Sequence, residues 1–369
     1  MTALFVGVLS LSGCGKEPIY QEQGYVFGTL VEVTVHGVEE TRAKQGIADV
    51  MHEFQRLHDL LHAWKPSELS SLNTAIAQGK HQTVSPELAA MLQDAARLSA
   101  QSEGLFNPTI GGLIQIWGFQ ADDFKAVLPD EKKITALVKA NPQMSDLAFL
   151  PSPPRGEGRG ERELVANTAL SPNPSPASGR GESVSSRNPA VKLDLGGYAK
   201  GYALDRAAAI LKQQGINNAL INIGGNVLAL GSHGKRPWRV GIQHPRKPGA
   251  LATLELRDGE AVGTSGDYQR YFEVEGKRYC HLIDPRNGQP VQGVQAVTII
   301  TQGEHAGLLS DASSKPLFIA GMANWRAAAE KMHIENALLI DAQGVVHLTP
   351  VMQKRLEFVD NKTVRSVAP

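Results

Sequence analysis

Leu193-Asp194-Leu195-Gly196-Gly197-Tyr198-Ala199-Lys200-Gly201-Tyr202-Ala203-Leu204-Asp205 is the stretch on which the reading of the fold turns. Residues 191–194 read as an apolar strand ending in a carboxylate, two glycines make a turn, and residues 199–214 read as a helix. A glycine turn between strand and helix exposes backbone N–H groups at a helix N-terminus, where an anion is favoured. The spacing departs from G-x-x-x-x-G-K-[ST] and from G-x-G-x-x-G, so neither a P-loop nor a Rossmann unit follows. As a bare pattern, such a turn is more often only a turn.

Outward from this point the chain alternates strands and helices. Downstream, strands are expected at 219–223, 238–242, 250–256, 271–274, 279–283, 294–300 and 338–340, mostly joined as hairpins, with a last helix starting near Ser310. Upstream, Val31, Val33 and Val35 alternate with polar residues as in a half-buried strand. Ile47, Val50, Met51, Phe54, Leu57, Leu60 and Leu61 form the stripe of an amphipathic helix. Ser85 and Pro86 then start another helix, as N-cap and first residue, with Leu88, Met91, Leu92, Ala95 and Leu98 on its buried face. Helices and hairpin-connected strands around one site argue for a single α+β domain, with largely antiparallel strands flanked by helices; a two-domain division remains the alternative.

With 369 residues, 42% hydrophobic and 20% charged, the chain can bury a full core. Lys plus Arg and Asp plus Glu are 37 each, so no global field draws in nucleic acid, and phosphate binding must be local. The stretch 151–189 is dominated by Pro, Gly, Ser, Arg and Glu and repeats a phrase, PPRGEGRGE from Pro153 and ASGRGE from Ala177, so it reads as a solvated loop insertion rather than core. A linker has the same composition, but the sequence on either side makes more sense joined as one site.

The two cysteines, Cys14 and Cys280, exclude a disulfide framework and a four-cysteine zinc site. Residues 4–11 are an apolar run followed by Ser12-Gly13-Cys14, which is similar to a bacterial lipobox; a chance cysteine at the end of an ordinary signal gives the same letters. On the lipobox reading, residues 1–13 are a signal peptide, Cys14 carries lipid, and residues 14–369 form the mature chain on the periplasmic side of a bacterial membrane. No other apolar run approaches the roughly 20 residues that span a bilayer.

Four further clusters carry polar chemistry. Asn222-Ile223-Gly224-Gly225-Asn226 again puts paired glycines at a strand end. Val262-Gly263-Thr264-Ser265-Gly266-Asp267-Tyr268 offers two hydroxyls for a phosphate oxygen, or is a polar hairpin turn. His281-Leu282-Ile283-Asp284-Pro285-Arg286-Asn287-Gly288 delivers a histidine suited to proton transfer, with Asp284 read as a turn-forming residue. Ser310-Asp311-Ala312-Ser313-Ser314-Lys315 opens the last helix, where Asp311 suits an N-cap or a magnesium ion. His58 and His62 stand one helical turn apart without the glutamate of H-E-x-x-H and read as a solvated face.

In this order, and with Val26-Phe27-Gly28-Thr29, Trp64, Ser67-Glu68-Leu69-Ser70, Phe106-Asn107-Pro108-Thr109-Ile110-Gly111 and Trp117-Gly118-Phe119, these clusters resemble the ApbE family of FAD:protein FMN transferases over nearly the whole mature chain except the insertion. The resemblance implies FAD in a central cleft, a magnesium ion, and transfer of FMN to a Ser or Thr hydroxyl of an acceptor redox protein with release of AMP. Carried over by position, it implies FAD contacts at Phe27, Trp64, Leu105, Phe106, Asn107, Asp194, Lys200, Thr264, Ser265 and the Ile283 backbone. It implies His281 as general base, and magnesium ligands at Gly197, Asp311 and the position of Lys315. A lysine departs from the hydroxyl usual there, and an ammonium has no lone pair for magnesium. Hydrolysis of FAD to FMN and AMP and a non-catalytic flavin-binding lipoprotein are the rival functions.

Overall fold

The computed structural model describes residues 17–121, 123, 125–151 and 181–367; the expected signal segment, Cys14 and residues 152–180 lie outside them. The chain opens with a hairpin, β1 (Ile19–Val26) and β2 (Thr29–His36), then α1 (Glu40–Leu61), α2 (Glu68–Ala77), β3 (Gln82–Val84) and α3 (Pro86–Gln101). Ser85 caps α3 as its spacing predicts, the hydroxyl accepting from Leu88 N–H at 3.2 Å. Next come α4 (Gly111–Ile116), α5 (Glu131–Ala140), β4 (Leu147–Pro151), β5 (Glu182–Ser186) and α6 (Ala199–Gln213). Strands β6 (Ala219–Ile223), β7 (Asn226–Leu230), β8 (Trp238–Gln243), β9 (Ala250–Leu256), β10 (Glu260–Gly266), β11 (Tyr271–Val274), β12 (Lys277–Cys280) and β13 (Val294–Gln302) follow. The chain continues through α7 (Ala306–Lys331), β14 (Asn336–Asp341), β15 (Val346–Leu348), α8 (Pro350–Gln353), β16 (Leu356–Phe358) and β17 (Arg365–Val367).

Nine strands form one sheet in the order β1-β2-β6-β7-β10-β13-β14-β15-β17, every pair antiparallel except β15 with β17. The period-2 alternation sorts its side chains between two cores. Along β13, Val297 and Ile299 join the core under α1, α6 and α7, while Ala296 and Ile300 face the three-stranded sheet β16-β9-β8. A third cluster joins Trp117 and Phe119, after α4, to Phe272 of β11 and to Ile283. This is the expected α+β architecture, largely antiparallel and helix-flanked.

Several local expectations change. Residues 191–194 are not a strand but pair briefly with 108–111: Lys192 N–H donates to Thr109 O and Asp194 N–H to Pro108 O, at 3.1 and 2.8 Å. The strand expected at 279–283 ends at Cys280, and the helix expected near Ser310 begins at Ala306. Thr264 and Ser265 lie inside β10 rather than in a turn. Residues 182–186, counted within the insertion, form β5, and Glu182 pairs with Pro151, so both flanks of the insertion belong to one small sheet.

Helix α7 lies directly on β10, and Gly263 makes that approach possible, because a Cβ there would overlap the Ser310 carbonyl oxygen. That contact is backbone and cannot swing aside. Gly263→Ala is expected to destabilise by about 1–3 kcal/mol in denaturant unfolding. Unchanged stability would mean that α7 is seated farther from the sheet.

Candidate functional site

The glycine turn before α6 is held from three sides. Buried Asn73 accepts from Leu193 N–H at 2.7 Å and donates to Leu193 O at 2.9 Å. Pro108 O holds Asp194 N–H, and the Asp194 carboxylate accepts from Gly196 N–H at 2.7 Å. Burial pushes the Asp194 carboxyl above its usual value, opposed by Gly196 N–H, Arg270, Trp64 and His62.

Helices α6 and α7 pack at small residues. A Cβ on Gly201 would stand 2.5 Å from Gly307 O, and Asp205 of α6 caps α7 by accepting from Gly307 and Leu308 N–H at 2.7 and 2.8 Å. Asp311 is therefore not an N-cap. It sits inside α7, buried, with Oδ2 accepting from Gly201 N–H at 3.0 Å. Its Oδ1 receives the Lys315 ammonium at 2.6 Å, and the same ammonium donates to Asp311 O at 2.8 Å. Lys315 lies against Gly197, where a Cβ would come within 2.7 Å of Cε. Gly197, Asp311 and Lys315 are thus brought together, and Ser314, next to Lys315 in α7, pairs its Oγ with Ser265 Oγ of β10 at 2.8 Å. Burial alone would raise the Asp311 carboxyl, but Lys315 and Lys200 hold it below the usual range; burial lowers the Lys315 ammonium and Asp311 opposes this. The Asp311 carboxylate, the acidic side chain expected to hold magnesium, already receives the Lys315 ammonium on Oδ1 and Gly201 N–H on Oδ2, and the residue one turn on is an ammonium with no lone pair to donate. The donor set does not fit a divalent ion.

His281 reaches this group from the end of β12. Its backbone N–H donates to Arg270 O at 3.0 Å, and Nδ1 lies 3.2 Å from the same oxygen. A carbonyl oxygen only accepts, so the proton sits on Nδ1 and Nε2 keeps the lone pair. The Phe119 ring meets the imidazole edge-on at 6.4 Å, and Arg270 donates to Phe119 O and Ala121 O at 2.9 and 3.1 Å. Burial, then the charges of Arg270, Lys200 and Lys315, push the imidazole from 6.5 down to about 3. An unfolded chain takes this proton near 6.5, the folded one only near 3. The folded state therefore loses stability as pH falls through that window. In an NMR titration of the free protein His281 is expected to stay neutral from about pH 5 to 8; a folded-state titration near 6.5 would contradict the cationic enclosure.

The remaining expected contacts divide. Phe27, at φ 56° in the β1–β2 turn, meets the His58 ring at 5.8 Å, and His58 meets His62 at 5.1 Å. His62 Nδ1 accepts from Trp64 and Lys65 N–H at 3.1 and 3.0 Å, and the Lys192 ammonium lies 4.6 Å above the Trp64 ring. His58 and His62 are half-buried members of an aromatic row running from Phe27 towards Asp194, not a solvated face. Leu105 is partly buried and Phe106 is in the core. The Asn107 carboxamide is engaged by Thr109 and by Pro142 O. Thr264 Oγ1 pairs with Thr298 Oγ1 at 2.9 Å on the sheet face opposite Ser265, away from α7. The Ile283 side chain packs in the third cluster, while Asp284 folds its turn by accepting from Arg286 N–H, as expected. The sequence reading missed Arg270, which stands in no motif, and discounted His62; the spacing of His62 to Trp64 was the available signal for the latter.

The sequence profile of the ApbE family matches residues 27–339. A FAD:protein FMN transferase of Rhodobacter capsulatus is 40% identical over 343 residues, covering 93% of this chain and 59% of that protein. One from Klebsiella pneumoniae (strain 342) is 31% identical, over 75% and 72% of the two chains. This chain thus spans little more than half the length of the Rhodobacter relative. In solved structures, the ApbE protein of Thermotoga maritima superposes with a TM-score of 0.75 at 26% identity, covering 92% of this chain and 99% of that one. The apo form of the Pseudomonas stutzeri flavinyl transferase ApbE gives 0.72 at 25% identity, covering 93% and 98%.

Proposed function

Because the chain belongs to the ApbE family, we propose that it transfers FMN from FAD to a Ser or Thr hydroxyl of an acceptor redox protein and releases AMP. The observation that carries this reading is the Lys315 side chain lying on Gly197 of the glycine turn that opens α6, with Lys315, Lys200 and Arg270 all acting on His281, whose Nδ1 is bonded to Arg270 O. A diphosphate repels an incoming oxygen until its charge is offset, and oriented cations and N–H donors supply that offset. The acceptor hydroxyl oxygen attacks the phosphorus of the FMN half. Its bond to phosphorus forms as the bond from that phosphorus to the bridging oxygen breaks, and AMP departs with the bridging oxygen. The hydroxyl proton passes to His281 Nε2, the nitrogen left with a lone pair. Phe27 and Trp64 offer aromatic surface for the flavin or adenine ring. No step is routed through magnesium, which the resemblance implies, because the Lys315 ammonium holds the Asp311 carboxylate that would bind it.

The test is mass spectrometry of a flavin-acceptor domain incubated with the protein and FAD, with AMP measured in parallel. A gain of one FMN moiety on Ser or Thr with matching AMP is expected. AMP without modification would replace transfer by hydrolysis, and FAD binding with no AMP would leave a binding protein.

Export and lipid anchoring form part of the same proposal, supported by residues 4–14. No helix among the described residues is long and apolar enough to cross a membrane. Cys14→Ala is expected to shift the protein from the membrane fraction to the soluble periplasm; unchanged membrane association would overturn the lipid anchor.

A further inference from the structure

We propose that the Lys315 ammonium is the resident cation for the FAD diphosphate, so that this chain binds FAD and transfers FMN without a divalent metal ion. This rests on the functional reading just given and concerns how its site is charged.

Lys315 occupies the place where a metal would have to bind. Its Nζ lies 2.6 Å from Asp311 Oδ1 and 2.8 Å from Asp311 O, and its methylenes cover Gly197 closely enough that a Cβ there would meet Cε at 2.7 Å. Asp311 Oδ2 already accepts from Gly201 N–H. Both oxygens of this carboxylate are therefore in use. The Asp311 side chain is 3% exposed and that of Lys315 14%, so water cannot readily replace either partner. A divalent ion on Asp311 would have to expel the ammonium from the carboxylate and lift the lysine off Gly197. Lysine could then offer the ion no lone pair in return.

The same geometry leaves the lysine able to serve the ligand. An ammonium carries three N–H donors, and two point at Asp311, which leaves one for an anionic oxygen. Asp311 in this arrangement positions the lysine, while Lys200 and Arg270 complete the positive wall around His281. Ser314 cannot substitute as a metal ligand without giving up Ser265 and Asp311 O, to which its hydroxyl is bonded at 2.8 and 2.9 Å.

The experiment is calorimetric titration of FAD into the full-length protein, in EDTA and in millimolar magnesium, with Lys315→Thr and Lys315→Met alongside. For the parent protein the two dissociation constants are expected to agree within about twofold, since no metal contact changes. Lys315→Met is expected to bind about tenfold or more weakly in both buffers, the loss of one charge-assisted hydrogen bond. Lys315→Thr, which restores a hydroxyl beside a released carboxylate, is expected to bind weakly in EDTA and recover with magnesium. Tight FAD binding by the parent only with magnesium would overturn the inference while leaving flavin transfer standing. So would Lys315→Met binding as tightly as the parent in EDTA. No FAD binding in either buffer would overturn the functional reading itself, and the inference with it. The parent protein alone decides the central point, so a variant that fails to fold does not blunt the test.

Discussion

His281→Ala is expected to bind FAD nearly as well as the parent and to transfer FMN about 10²–10⁴-fold more slowly, the usual contribution of a positioned general base. The imidazole is fixed by two contacts to Arg270 O, one from its own backbone and one from Nδ1, and by the edge of the Phe119 ring. Only Nε2 is left for an acceptor hydroxyl. The cations that would hold the diphosphate stand on other elements, Lys200 on α6, Lys315 on α7 and Arg270 before β11, so truncating the histidine leaves them in place. The result should therefore separate rate from affinity. Burial first, and then these cations, make the imidazole weakly basic in the free protein; a bound diphosphate offsets the cations and is expected to raise the pKa by their share. Single-turnover transfer with saturating FAD measures the step directly. A rate within a few fold of the parent would remove His281 from proton transfer.

Asp311→Ala is expected to cost about 3–5 kcal/mol in denaturant unfolding, because it strands a buried ammonium without its carboxylate. Replacing both members, Asp311→Ala with Lys315→Met, is expected to recover most of that loss, since burying neither charge removes the desolvation penalty. The two variants thus distinguish the charge from the packing. Gly201 N–H also loses its acceptor, so a residual deficit in the double variant measures that hydrogen bond. Near-parent stability of Asp311→Ala would show that the pair is solvated. A deficit equal in single and double variants would assign the loss to Gly201 and its neighbours.

Some of this site is legible in the sequence. The paired glycines at 196–197, the histidine at 281 and the Asp311–Lys315 spacing are local signals, and the structure brings His281, Lys200, Lys315 and Asp311 within electrostatic reach of one another. Spacing of four along a helix also brings Lys315 back to Asp311, and the apolar Pro316-Leu317-Phe318 beside it favours a lysine turned inward rather than to solvent, as found. Arg270 escaped notice because it lies in an irregular segment and joins the site through an adjacent hairpin. His62 reads as a solvated residue in the sequence because its role comes from Trp64 and from Asp194, which is far away in the chain.

Periodicity, caps and turn residues by themselves determined the helices α1, α3 and α6, strand β2 and the α+β class, because each depends on neighbours within a few residues. What only the tertiary structure decided is which face of each element meets which. Thr264 and Ser265 are adjacent hydroxyls in a sequence that reads equally well as a turn; as part of β10 they point to opposite faces, Ser265 to α7 and Thr264 to Thr298. The start of α7 was likewise set from outside the helix, by Asp205 capping Gly307 and Leu308, which left Asp311 inside α7 to accept from Gly201 N–H at the start of α6 and from Lys315. Strand alternation is a property of the chain, but the choice of face follows from the sheet order and from Gly263 and Gly201 admitting α7. Those are contacts between distant segments, and their energies appear only when the segments meet.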